Sequence, residues 1–201
     1  MPNRLLSTMP TTSLTPTATL QRAARRRLIG LLAAAPLLAL PGCGSAPVPQ
    51  DYAKETPAFS LRDYFNGPLT AHGLFTDRSG RVVKRFQVAM VGRWDGAQGV
   101  LEEDFTYSDG SKQRRVWRLR DLGNGRWEGR ADDVVGVAQG EVAGNALNWH
   151  YTLSLPVDDR VWEVQFDDWM YQMDAHTVLN KARMSKWGFT LGEVTLSFHK
   201  P

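Results

Sequence analysis

Two neighbouring aspartates carry the most suggestive chemistry in this sequence, within Val164-Gln165-Phe166-Asp167-Asp168-Trp169-Met170-Tyr171-Gln172-Met173-Asp174. Side chains alternate between the two faces of a β-strand. Trp162, Val164 and Phe166 make one face apolar, and Glu163, Gln165 and Asp167 make the other polar. From Asp168 the phase reverses, with the acid on the apolar side and Trp169, Tyr171 and Met173 on the polar side. A bulge at Asp167 or Asp168 is the simpler reading and leaves both carboxylates near solvent. A straight strand instead turns Asp168 inward. With a two-residue turn at Asp174-Ala175 it then faces Lys181, and Met170 faces Leu179. An ion pair taken out of water is expensive, which argues for a use. Asp167, Asp168, Trp169, Met170, Asn180 and Lys181 are therefore candidate ligand-binding residues.

A second constellation pairs Leu101-Glu102-Glu103-Asp104-Phe105 with Gln113-Arg114-Arg115-Val116-Trp117 across Asp109-Gly110. A two-residue turn sets Asp104 opposite Arg115 and Glu102 opposite Trp117. An exposed cross-strand ion pair contributes under about 1 kcal/mol and is the bland reading. The alternative is a charge cluster facing a ligand, which adds Asp104 and Arg115 to the candidates. Neither face of this hairpin is cleanly apolar.

Other chemistries lack their signatures. His72, His150, His176 and His199 fall on separate segments without ligand spacing, and Cys43 is the single cysteine. No metal site or intrachain disulfide is expected. No G-x-S-x-G elbow, phosphate-cradling glycine loop or H-E-x-x-H occurs, and no cofactor is expected.

The elements that must hold these residues are hairpins. Asp77-Arg78-Ser79-Gly80, Asp95-Gly96, Asp109-Gly110, Asn124-Gly125, Gly144-Asn145 and Asp158-Asp159 punctuate runs rich in Val, Trp, Tyr, Phe and Thr. A two-residue turn at Gly144-Asn145 pairs Ala143/Ala146, Val142/Leu147, Gly140/Trp149, Ala138/Tyr151, Gly136/Leu153 and Val134/Leu155. Apolar residues then sort to one face, with glycines opposite large neighbours. Trp149 is a further candidate for lining an interior. The pattern predicts an all-β, antiparallel up-and-down meander of about 8–10 strands closing into a barrel, because closure removes exposed edges. A two-sheet sandwich is the structural alternative. One short N-terminal helix is expected after Ser60, where Ser60-Leu61-Arg62-Asp63 offers a cap pattern and Asn66-Gly67-Pro68 a stop.

Ahead of the barrel, Arg22, Arg25, Arg26 and Arg27 precede an apolar run from Leu28 to Leu40. That run is too short to span a membrane and reads as a signal peptide over 1–42. Arg25-Arg26-Arg27-Leu28-Ile29 also resembles a twin-arginine export signal. Leu40-Pro41-Gly42-Cys43 resembles a bacterial lipobox, so Cys43 is expected to be lipidated and to anchor residues 43–58 as a flexible tether. Gly44, in place of aspartate, points to the outer membrane facing the periplasm. Five of the 24 Lys and Arg residues precede Cys43 and all 21 acids follow it. The 19 remaining bases against 21 acids give no basis for binding nucleic acid. Residues 59–201 suit one domain.

A resemblance covers most of that domain. Tyr64-Phe65-Asn66-Gly67, Gly73-Leu74-Phe75-Thr76-Asp77-Arg78-Ser79-Gly80, Glu103-Asp104-Phe105, Arg115-Val116-Trp117, Asp133-Val134-Val135-Gly136, Gly144-Asn145-Ala146-Leu147-Asn148-Trp149 and Asp167-Asp168-Trp169-Met170 resemble the bacterial lipoprotein family called domain of unknown function 3833. His72 stands where that pattern has tryptophan. The resemblance implies a lipidated envelope protein with a lipocalin-like, calycin-type barrel. The expectation is a non-enzymatic binder of a hydrophobic small molecule or lipid, such as a fatty acid, with the membrane as its other partner. A lipid-modifying enzyme using Asp167 or Asp168, with Lys181 or Arg115 stabilising charge, is the second reading. A filled barrel serving as a docking surface is the third.

Overall fold

The computed structural model describes residues 45–157 and 159–201. The expected leader and Cys43, the expected lipidation site, lie outside the described residues. Ten strands follow one another in chain order: β1 (Gly67–Asp77), β2 (Val82–Asp95), β3 (Gln98–Tyr107), β4 (Lys112–Gly123), β5 (Arg126–Arg130), β6 (Ala138–Ala143), β7 (Ala146–Val157), β8 (Arg160–Gln172), β9 (Thr177–Lys186) and β10 (Phe189–His199). Each pairs antiparallel with the next, and β1 pairs with β10 from Thr70↔His199 to Asp77↔Gly192. The result is a closed up-and-down barrel with no free edge.

Turn chemistry explains the register of the hairpins. Asn124 (φ 54°) and Gly125 (φ 74°) form a two-residue connection with both residues left-handed, the geometry that matches strand twist. At Gly144-Asn145 the expected pairs Ala143↔Ala146, Val142↔Leu147 and Gly140↔Trp149 are all present. The expected register ends at Gln139↔His150, short of the expected Ala138/Tyr151 pair. Val134 bridges Leu153 rather than Leu155, because the chain loops out through Gly136 at φ 75°.

The β3–β4 and β8–β9 hairpins correct the expected pairing by one residue, for a shared reason. Asp109 Oδ1 accepts from Ser111 N at 3.0 Å, and Gly110 (φ 83°) completes a loop of three residues. Glu103 therefore faces Arg115, and Asp104 faces Arg114. Asp174 Oδ1 likewise accepts from His176 N (2.8 Å) and Thr177 N (2.7 Å), so the loop runs from 174 to 176. Asp168 then faces Ala182, and Lys181 faces Trp169. Such Asx bonds reach two residues ahead and lengthen a turn that otherwise needs only two residues.

The short helix lies where its cap predicts. Ser60 Oγ accepts from Asp63 N at 3.3 Å to open α1 (Leu61–Tyr64). Phe59, Leu61, Tyr64 and Phe65 are buried, and the Phe65 ring meets Phe198 edge-on at 5.5 Å. The Tyr64 hydroxyl donates to His176 O at 3.0 Å. This segment plugs the end of the barrel at which β1 starts and β10 stops.

Strand β8 carries no bulge. Its pairing runs unbroken from Ala146↔Tyr171 to Val157↔Arg160 on one side and from Gln165↔Ser185 to Gln172↔Val178 on the other. The phase reversal has another cause. A 3₁₀ turn at Pro49–Tyr52 docks on the outside of the barrel, and the Tyr52 ring packs edge-on against Trp169 (5.7 Å) and Tyr171 (5.4 Å). The chain covers its own outer wall here, so that wall is aromatic. The stretch read as a tether is thus packed from Pro49 to Tyr52.

Candidate functional site

The barrel is incompletely filled. An interior cavity of about 170 Å³ is walled largely by apolar side chains, among them Phe86, Met90, Leu101, Trp149, Phe166 and Met170. Inward glycines make room for the rings around it: Trp149 covers Gly140 and reaches Gly129, and Phe86 covers Gly73. Trp117 meets Trp149 at 6.2 Å and Tyr151 at 5.6 Å, both edge-on. Tyr151 stacks on Phe166 at 5.0 Å.

Two polar clusters interrupt this lining. In the first, Glu103 of β3 and Arg115 of β4 project inward from paired positions. Arg115 is committed to Asp133, which follows β5: Nε donates to Oδ1 (3.1 Å) and Oδ2 (3.0 Å), and Nη2 donates to Oδ2 (2.7 Å). The remaining guanidinium nitrogen stands 3.8 Å from Glu103 Oε2, beyond hydrogen-bond distance. Tyr107 Oη donates to Gln113 Oε1 at 2.7 Å, and Gln113 Nε2 reaches Asp133 Oδ2 at 3.5 Å. In the second cluster Asp168 of β8 is 5% exposed. It accepts from Tyr151 Oη at 2.9 Å and from Asn180 Nδ2. Asn180 Nδ2 is also 2.9 Å from Trp169 O, which fixes the amide.

Burial sets the protonation of both acids. It pushes Glu103 up to about 7; the Arg115 charge opposes the shift, and the Asp133 and Asp168 carboxylates add to it. Burial likewise raises Asp168 to about 6, against the hydrogen bonds from Tyr151 and Asn180. Tyr151 is raised well above its ordinary value by burial and by the neighbouring Asp168 charge. For Arg115 burial works against the charge, but the Asp133 and Glu103 carboxylates outweigh it and the guanidinium stays protonated. Two carboxyls that titrate near neutrality in a cavity can bind a ligand's donors or exchange a proton with it.

The candidates from the sequence divide cleanly. Asp168, Met170, Asn180, Arg115 and Trp149 line the cavity. Asp167, Trp169, Lys181 and Asp104 belong to the outer wall. Asp167 accepts from Asn148 Nδ2 (2.9 Å) and Arg183 Nη2 (2.8 Å). Lys181 pairs with Glu193 at 3.1 Å, and Asp104 with Arg114 at 3.0 Å. Glu103, Asp133 and Tyr151 were missed as site residues. A three-residue loop at Asp109-Gly110 would have exposed Glu103, whereas Asp133 sits between strands, where no periodicity points to it. Among the described residues no group of His, Cys, Asp and Glu is arranged to hold a metal.

A roomier hollow of about 690 Å³ lies outside the barrel, between the 46–50 segment and the wall around Trp127, His150 and Asp167. Its volume exceeds that of the interior cavity, yet it lacks the enclosing apolar wall that desolvates a ligand. We therefore place the site inside.

Fold and site together define a ten-stranded, lipocalin-like barrel with a polar-tipped apolar interior. The chain belongs to the family of proteins of unknown function designated DUF3833, whose model matches residues 37–200. Among solved structures it is similar to the S-type phycobiliprotein lyase from Guillardia theta. The TM-score is 0.53 at 7% identity, over 78% of this chain and 98% of that one. At that identity the likeness is one of fold. No curated protein sequence matches.

Proposed function

We propose that this chain is a lipid-anchored envelope protein that holds a hydrophobic small molecule in its barrel. The observation that carries this reading is the interior cavity, apolar over most of its wall, with polar groups confined to two clusters. Ligand pockets have this composition: apolar walls supply affinity and a few fixed polar groups supply orientation. A barrel packed for stability alone would leave no such void, because interiors normally reach crystal-like density. Lipidation at Cys43 and placement on the periplasmic side of the outer membrane complete the proposal; both rest on the lipobox-like sequence and on Gly44.

Native mass spectrometry with lipid extraction, on protein purified from its own membranes, tests the binding function. The expected result is a non-covalent adduct that survives purification and is lost on denaturation. Protein that carries no adduct and takes up no added amphiphile would be a filled, ligand-free barrel.

A second reading, catalysis, is favoured by one observation. Glu103 and Asp168 are buried carboxyls held near neutral pKa in the same cavity. In that reading Asp168 is the acid or base and Arg115 the stabiliser of charge; Asp167 and Lys181 face away from the cavity. Turnover of an extracted ligand, abolished by Asp168→Asn without loss of binding, would establish it.

A further inference from the structure

Charge accounting inside the barrel narrows the class of ligand. Among the described residues lining the cavity, Arg115 is the one base, against the two acids Glu103 and Asp168. The guanidinium already spends three hydrogen bonds on Asp133. Asp168 receives only neutral donors, the Tyr151 hydroxyl and the Asn180 amide. Glu103 is 8% exposed; the Trp117 side chain gives it a neutral hydrogen bond, and Arg115, its nearest cation, stands 3.8 Å away. Arg115 thus pairs with Asp133 and stands near Glu103, whereas Asp168, on the same cavity, has only neutral partners.

Resting on the ligand-binding reading above, we propose that the cavity takes an amphiphile with a cationic, hydrogen-bond-donating head, such as a protonated primary amine, seated between Glu103 and Asp168. An ammonium offers three donors and no acceptor, which suits two carboxylates across a gap. Charge-assisted bonds of this kind are stronger than the neutral ones Asp168 now accepts. The amine also supplies the missing positive charge, so both acids ionise around it. An alkyl carboxylate is disfavoured for the opposite reason: it adds a further anion to a low-dielectric space whose one guanidinium is already paired. The tail lies along Met90, Leu101, Phe166 and Met170 in either case, so head chemistry alone separates the two ligands. A cavity of about 170 Å³ suits a short chain.

The test uses the full chain carrying Cys43→Ala, kept free of detergent, at neutral pH. Calorimetric titration with octylamine, octanol and octanoate compares three heads on one tail. Octylamine is expected to bind with one-to-one stoichiometry, at least tenfold tighter than octanol, and octanoate weaker than octanol. Glu103→Gln and Asp168→Asn should each reduce the preference for amine over alcohol at least threefold. Asp104→Asn, which removes an exposed carboxylate, should leave the preference intact. Octanoate binding as tightly as octylamine, or octylamine no tighter than octanol, would overturn the proposal and leave the ligand-binding reading standing. Binding of none of the three would instead refute that reading itself.

Discussion

Replacing Gly140 with alanine drives a methyl group into the indole of Trp149. A β-carbon on Gly140 would overlap Cε3 and Cζ3 of that ring and come within 3.2 Å of Cδ2. The ring has little freedom along the wall, because Gly129 lies close beneath Cζ2 (2.6 Å from a would-be β-carbon) and Trp117 abuts it edge-on. The ring also borders the cavity. Overpacking of this kind costs about 1–3 kcal/mol. Loss of glycine's unfolded-state freedom returns about 0.5–1 kcal/mol, since Gly140 is not in the left-handed region. The net expectation is a destabilisation of about 1–2 kcal/mol, and more for valine. Urea unfolding followed by tryptophan fluorescence reads this directly. With a slope of roughly 1–3 kcal/mol per molar, the midpoint should fall by about 0.5–1 M without a change in slope. In a Trp149→Leu background the same substitution should cost nothing or stabilise slightly. An unchanged midpoint, or an equal cost in both backgrounds, would refute the packing of Trp149 on Gly140.

The remaining predictions concern the site and the anchor. Between the ordinary carboxylate range and about 7 the folded domain binds more protons than the unfolded chain, because Glu103 and Asp168 are raised. Their contribution to stability should therefore grow as pH falls from 8 to 5; melting temperatures across that range should rise, and Glu103→Gln should flatten the rise. Tyr151→Phe removes one of the two side-chain donors to a buried carboxyl and should destabilise by about 1–3 kcal/mol, read by the same urea titration. Asp168→Asn should reduce the amount of lipid that copurifies, whereas Asp167→Asn on the outer wall should not; equal recovery from both would move the site elsewhere. Cys43→Ala should shift the protein from the membrane to the soluble fraction of the envelope, and unchanged fractionation would remove the lipid anchor from the proposal.

Much of the barrel is legible in the sequence because a two-residue turn sets the register of the pairs that follow it until the chain loops out. Gly144-Asn145 does this, and the Gly140–Trp149 contact follows. The site is less legible because it hangs on two hairpins whose turn aspartates bind the backbone two residues ahead. Each such bond adds one residue to a loop, and one residue exchanges the faces of a strand. At Asp109 that exchange turns Glu103 inward and Asp104 outward. At Asp174 it sets Asp168 against Ala182 and puts Lys181 on the outside. The aromatic run at Trp169 and Tyr171 was opaque for a different reason. Strand periodicity reports burial on a face, not what causes it, and here the cause is a distant N-terminal segment.

The pairing of β1 with β10 couples the order of synthesis to the birth of the site. Thr70 waits for His199, so the first strand has an unsatisfied edge until the chain is almost complete. Contacts this far apart in sequence close slowly, because a long loop must be ordered before they form. The last strand is also cavity wall, contributing Val194, Leu196 and Phe198. Before it docks, the interior is an open trough with its apolar floor exposed; afterwards it is a container. Until that strand docks, bystander amphiphiles have free access to the apolar floor. On the proposed ligand-binding reading, the final seam encloses whatever the trough retains, so the timing of closure as well as affinity decides the occupant.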